Sequence, residues 1–238
     1  MLMKRLMRVL CGFAIALSAG ATSAGTFSIS PVRVSLDAHR PVSMLTLSNT
    51  GDEPVVVQLE IKKWSNRFGQ DEFEATRDLL ASPPIFTVPP KGRQIIRVGL
   101  RGAISGDNEA SYRLFVREVP PPPKPGQQGL QMAVHMSLPV FVSPGAHAVP
   151  AVDWQLRRDP EGRLVVRALN RGRAHMQISR LELTSADGEP LDRMDFNQYL
   201  LIGQDCEWTL PLAVSAGAKL RLLALTDVGA QRMDLIVD

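Results

Sequence analysis

Residues Gln128–Val142 read Gln-Gly-Leu-Gln-Met-Ala-Val-His-Met-Ser-Leu-Pro-Val-Phe-Val. Leu130, Met132, Val134, Met136 and Leu138 fall on one side of an extended chain, and Gln131, Ala133, His135 and Ser137 fall on the other. A two-residue period held this long is that of a strand with one apolar face. The proline-rich run Pro120–Pro125 precedes it and Ser143-Pro144-Gly145 follows, so breakers isolate it on both sides. On periodicity alone it is a half-buried core strand. Its neighbours decide whether it is more than that.

Working back towards the start, Ser111–Val119 sets Tyr112, Leu114 and Val116 against Arg113, Phe115 and Arg117. Lys/Arg stems covering a solvated sheet face are the ordinary explanation of such arginines. Arg93–Leu100 and the short Ile85–Val88, bracketed by Pro83-Pro84 and Pro89-Pro90, add two further strands. The polar stretch Ser65–Ser82 reads as a loop or ragged edge, with Asp78-Leu79-Leu80 allowing a helical turn. Pro41–Asn49 and Val55–Ile61 alternate on either side of the turn Asn49–Pro54 and read as a hairpin. Thr26–Leu36 alternates on both sides of Pro31, which suits a strand that changes face at the proline, with Arg33 and Ser35 pointing away from the core.

About seven short strands before Pro144 fit an immunoglobulin-like sandwich. After it the pattern starts again, with Val152–Leu156, Leu164–Leu169, Met176–Leu183, the Asp187-Gly188 turn, Glu207–Leu212, Lys219–Leu225 and Met233–Val237. No stretch makes a convincing long helix. The expected fold is all-β, two sandwiches in tandem joined near Ser143–Val149, with residues 25–144 in the first and 145–238 in the second.

Residues 1–24 read as a secretory signal. Lys4, Arg5 and Arg8 precede an apolar run from Val9 to about Ala19, and small residues allow cleavage after Ala21 or Ala24. The run is too short to span a bilayer, and no later window is long and apolar enough for a membrane helix. The formal charge of +3 largely comes from those three residues, since without them 24 basic residues face 24 acidic ones. No basic stripe with interleaved aromatics remains, which excludes nucleic acid as an expected partner. Beyond the leader only Cys206 remains, so no intramolecular disulfide is expected, and the thiol reads as buried and inert.

His39, His135, His147 and His175 show no metal-ligand spacing, and the chain has no Cys-x-x-Cys, no phosphate-cradling glycine loop and no Gly-x-Ser-x-Gly. The expectation is a binding protein without catalytic residues, metal or cofactor. A two-domain immunoglobulin-like adhesin or ligand-binding module is one reading that satisfies these patterns.

Several pieces, taken in order, carry a resemblance. They are Ser30-Pro31-Val32-Arg33-Val34, Ser82-Pro83-Pro84-Ile85-Phe86 ahead of Pro90-Lys91-Gly92-Arg93-Gln94, Tyr112-Arg113-Leu114-Phe115-Val116 with Glu118-Val119-Pro120, and the alternating strand ending at Pro144. Together they resemble the periplasmic chaperones of the chaperone–usher pilus pathway, the PapD-like family. The resemblance implies two immunoglobulin-like domains arranged like a boomerang around a cleft. It also implies a role in fimbrium biogenesis, in which the chaperone lends an edge strand to a pilus subunit that lacks one and delivers the subunit to an outer-membrane usher.

Leu130, Met132, Val134 and Met136 would be the lent side chains, and methionine suits pockets of differing shape. The family anchors the subunit's terminal carboxylate with an arginine from the first strand and a lysine late in the donor strand. Arg33 matches the arginine, while Pro139 stands where the lysine should be and Ser143 where many relatives carry a basic residue. These departures resemble the archaic branch. Arg113 is the candidate for the missing cation. Whether the free chain self-associates through its unprotected donor strand stays open at this point.

Overall fold

The computed structural model describes residues 27–67, 69–102, 106–121 and 132–238; the leader expectation for residues 1–24 lies outside them. Pro31 splits the first strand. β1 (Phe27–Ser30) enters one sheet and β2 (Val34–Leu36) the other, so the expected change of face is a change of sheet. One sheet has the order β1, β3 (Val42–Asn49), β8 (Arg93–Leu100), β6 (Leu79–Ser82). The facing sheet has the order β2, β10 (His135–Val142), β9 (Ala110–Glu118), β4 (Val55–Arg67), β5 (Gln70–Ala75), and β7 (Ile85–Val88) pairs with the start of β4. Leu45, Leu47, Ile96 and Val98 from the first sheet meet Val57, Leu114, Val116, Leu138 and Val140 from the second, all buried.

The second pair of sheets follows Ser143–Val149. β11 (Val152–Arg158), β12 (Arg163–Asn170) and β15 (Asp205–Ala213) form one. β14 (Pro190–Leu200), β13 (Met176–Ser185), β16 (Lys219–Thr226) and β17 (Gly229–Ile236) form the other. Leu156, Leu164, Val166, Met176, Ile178 and Leu222 fill the space between them.

Four sequence expectations need correction. β3 and β4 are not a hairpin, because the turn at Asn49–Pro54 carries the chain from one sheet to the other. The polar stretch after Ser65 is a hairpin, with Lys62–Arg67 paired to Gln70–Ala75 around Gly69, whose φ of 77° suits a residue without Cβ. Asp78-Leu79-Leu80 is not a helical turn, since Leu79 opens β6 and its side chain is buried in the core. Phe115 does not share a solvated face with its arginine neighbours: it is buried, edge-on to Phe73 with ring centroids 5.2 Å apart.

Each half closes one sheet-to-sheet crossing with a buried asparagine two residues before a glycine. Asn49 donates from Nδ2 to the carbonyls of Glu53, Val88 and Pro89, and its Oδ1 accepts from the Gly51 N–H at 2.9 Å. Asn170 donates to the carbonyls of Ala174 and Leu200, and its Oδ1 accepts from the Gly172 N–H at 2.9 Å. A buried amide with its bonds made satisfies backbone groups that the crossing takes out of both ladders. Gly172 is required by space too, since a Cβ there would stand 2.3 Å from the Ala151 nitrogen.

Candidate functional site

β10 is paired unequally on its two sides. All eight of its residues, His135–Val142, face Arg117–Ala110 of β9, but β2 covers only Val140–Val142 on the other side. The Glu118 N–H bonds the Val134 carbonyl at 2.9 Å, and the Ser143 N–H bonds the Leu36 carbonyl at 2.8 Å. Because backbone groups alternate in direction along a strand, Val134, Met136 and Leu138 direct theirs to β9 and His135, Ser137 and Pro139 direct theirs away from it. Among the described residues His135–Ser137 is therefore an open edge, which ends at Pro139, where the register of β2 begins with Val140. Pro139 interrupts no bond to β9, since its imide nitrogen faces that edge, which is where a sheet tolerates proline.

The side chains follow the sequence pattern within the described part. Leu138 is buried, Val134 and Met136 pack half-buried against the core, and His135 and Ser137 are exposed. Met132 lies ahead of the strand and is 72% exposed. The strand thus begins at His135, later than the alternation suggests, and Leu130 lies outside the described residues.

At the foot of the open edge lies a cleft lined by Val32, Arg33, Arg113, Met136, Pro139 and Tyr199, with Gln177 and Asn197 on the far wall. The structure brings Arg33 and Arg113 to this one cavity. Arg33 Nη1 reaches Asp227 Oδ2 at 2.8 Å and Gln177 Oε1 at 3.3 Å, both on the second half of the chain. The Arg113 guanidinium lies 3.8 Å above the Trp64 ring and 5.6 Å from that of Tyr199. Its buried Nε has no hydrogen-bond partner among the described residues. Burial pulls the Arg113 pKa below the usual guanidinium value, and Asp71 and Tyr199 only partly offset this. Burial likewise pushes the Tyr199 phenol up, against the pull of Arg33 and Arg113. Two guanidinium groups, one of them without an ion pair among the described residues, make this cleft suited to a carboxylate.

Sequence reasoning missed the aromatic cluster behind the cleft. Trp64, Phe141 and Leu201 are buried together with Tyr199 against them, which joins β4 and β10 of the first half to β14 and the turn after it in the second. His175 stacks on Phe141, its Nδ1 lies 2.6 Å from Glu109 Oε1, and its Nε2 lies 3.6 Å from Asp227 Oδ2.

A family model described as pili and flagellar-assembly chaperone, PapD N-terminal domain, matches residues 26–148. The chain belongs to this chaperone family. Among curated relatives, the chaperone protein FimB/FhaD of Bordetella pertussis is 28% identical over 166 residues, covering 65% of this chain and 67% of the relative. The chaperone protein PmfD of Proteus mirabilis is 29% identical over 151 residues, covering 61% of this chain and 57% of the relative, so the match spans less than two thirds of PmfD. Among solved structures, the CsuC–CsuE chaperone–tip adhesion subunit pre-assembly complex from archaic chaperone–usher Csu pili of Acinetobacter baumannii matches with a TM-score of 0.67 at 19% identity. That match covers 90% of this chain and all of the other, so the pili-assembly chaperone fold extends over both sandwiches.

Proposed function

We propose that this chaperone captures immature pilus subunits in the periplasm by adding β10 to them as a missing strand, and passes them to an outer-membrane usher. The observation that carries the reading is the unequal pairing of β10, whose open edge at His135–Ser137 runs down through Pro139 to a cleft holding Arg33 and Arg113. A subunit lacking its last strand has unpaired backbone on both sides of an apolar groove, which is costly in water and prone to aggregate. Backbone bonds from the open edge pair that groove, and Leu130, Met132, Val134 and Met136 fill it. Each side chain adds about 1.5–3 kcal/mol of gross attraction when fully buried, from which ordering costs are subtracted.

The subunit's terminal carboxylate is held between Arg33 and Arg113, with Arg113 in the role that Pro139 cannot fill. That substitution, with the likeness in fold to an archaic chaperone, supports the archaic branch. Release follows when an incoming subunit's own strand displaces β10, a strand exchange that requires no nucleotide.

The test is periplasmic co-expression with the small β-subunits encoded beside the chaperone. Wild type and Arg93→Ala should each yield a one-to-one complex, and Val134→Asp, verified as folded by its thermal melt, should yield none. If Val134→Asp holds subunit as well as wild type does, strand addition through β10 is wrong.

A further inference from the structure

His175 sits where three parts of the molecule meet. It opens towards Glu109, in the segment leading into β9, and towards Asp227, in the turn between β16 and β17, while its ring covers Phe141 of β10. The other charged or titratable groups around it are Arg33, held by Asp227, and Tyr199 on β14, with ring centroids 5.8 Å apart; the largely exposed Arg173–Asp107 pair, at 3.7 Å, has its arginine two residues earlier in the chain. The Glu109 carboxylate also accepts from the His175 backbone N–H at 3.0 Å, so the imidazole has a fixed seat.

We propose that His175 is a positioning residue for carboxylate capture: by gaining or losing a proton it sets how strongly Asp227 competes for Arg33, so that the cleft holds a free chain terminus more tightly in mild acid than in mild alkali. This rests on the carboxylate-binding reading of Arg33 and Arg113. With the imidazole neutral and Nδ1–H donated to Glu109, the Nε2 lone pair faces Asp227, and Arg33 is the cation that Asp227 holds. Glu109 and Asp227 then oppose Arg33, and Asp71 acts on Arg113, so an incoming carboxylate meets a site one positive charge poorer than with the imidazolium. Protonation places an N–H on Nε2, which is buried, lacks a hydrogen-bond partner among the described residues and lies 3.6 Å from Asp227, so a small shift closes the bond. Asp227 is then shared, Arg33 is freer, and the site gains one positive charge.

The surroundings place this change in an accessible range. Burial disfavours the imidazolium, but the Asp227 and Glu109 carboxylates outweigh it and hold the His175 pKa above its ordinary value. Asp227 itself is pulled down to about 2 despite its burial, by His175, the Gln177 N–H and Arg33, and so stays ionised throughout.

The experiment measures binding of two probes to the full mature chain: a peptide of alternating valine and threonine with a free α-carboxylate, and the same peptide with a terminal amide. One added charge near the bound carboxylate should tighten the acid peptide by roughly three- to tenfold between about pH 8 and about pH 5.5, and leave the amide peptide unchanged. His175→Gln should flatten the profile of the acid peptide. Glu109→Gln, which removes one of the two groups that favour the imidazolium, should move the transition to lower pH and serves as the second variant if His175→Gln does not fold. A full pH profile surviving in His175→Gln, with acid still preferred over amide, would overturn the role of His175 and leave the carboxylate site standing. Equal binding of acid and amide at every pH, or no binding of either, would overturn the carboxylate reading itself.

Discussion

The imidazole of His175 lies flat on the phenyl ring of Phe141, with centroids 3.4 Å apart and planes within 5° of parallel. Phe141 belongs to β10, so the strand with the open edge is packed on its other face against a titratable residue from the second half of the chain. The same ring is 6.1 Å from Trp64 and 5.5 Å from Tyr199, which makes it the centre of the contact between the two sandwiches. Phe141→Ala should cost about 3–5 kcal/mol. Chemical denaturation followed by tryptophan fluorescence should resolve two transitions where the wild type shows one. A single transition with an unchanged midpoint would mean that the halves do not depend on this ring.

Stability should peak in mild acid. The folded His175 value is raised, so its contribution is complete below the ordinary value of about 6.5 and is lost as pH rises through the folded value. Asp227 is lowered to about 2, so its contribution is present above about 3.9 and is lost as pH falls towards 2. Discounted for partial exposure, the Asp227 contribution is ~1–2 kcal/mol. Thermal melts across pH should show the alkaline decline disappear in His175→Gln and the acid decline soften in Asp227→Asn. Parallel profiles for wild type and both variants would refute the assignment.

Arg113 should trade stability for capture. Its guanidinium is desolvated without an ion pair among the described residues, so Arg113→Met, which keeps a contact with Trp64, should leave the free protein equally stable or up to ~1 kcal/mol more stable. The same variant should bind subunit at least tenfold more weakly, the effect of losing about 1.4 kcal/mol or more of charge-assisted bonding. A clear loss of stability together with full capture would make Arg113 a structural residue and leave Arg33 without a second cation.

Asn49 and Asn170 should be equally sensitive. Each is buried, and replacement by alanine strands two or more backbone partners, which should cost about 2–4 kcal/mol at either site. Urea midpoints of the two variants would measure this. A cost under ~1 kcal/mol would show that water takes the place of the amide.

Cys206 should react slowly. Its side chain is half-buried on β15, and burial pushes the thiol up to about 11, against a weaker pull from Gln204, so little thiolate exists near neutrality. Labelling by iodoacetamide at mildly alkaline pH should lag far behind a free cysteine and approach its rate only in denaturant.

The sequence reveals the parts of this molecule that are local. The alternation from Val134 to Leu138, the break at Pro31 and the position of Arg33 all read directly from residue order, because period and proline act within a few residues. The false hairpin at Asn49–Pro54 has a physical origin: a turn between two alternating segments looks the same whether the chain stays in one sheet or crosses to the other. The signal that could have separated these cases is the repeated Asn-x-Gly at Asn49 and Asn170, whose amides mark crossings. β14 was overlooked because its charges are dense, although Met194 and Phe196 alternate within it. The cluster of Trp64, Phe141, His175 and Tyr199 had no local signature, since those four residues come from four different strands or turns brought together only by the docking of the two halves.

Pro139 limits how far any neighbouring strand can zip along β10. An imide nitrogen has nothing to give to a carbonyl, and one step beyond it β2 already occupies the place beside Val140. A chain laid against the open edge therefore runs out of both partners and room at the same point. The only group that gains by arriving there is one that needs more than an amide can offer, so the ladder favours a guest whose chain ends at the guanidinium groups over one whose chain continues past them.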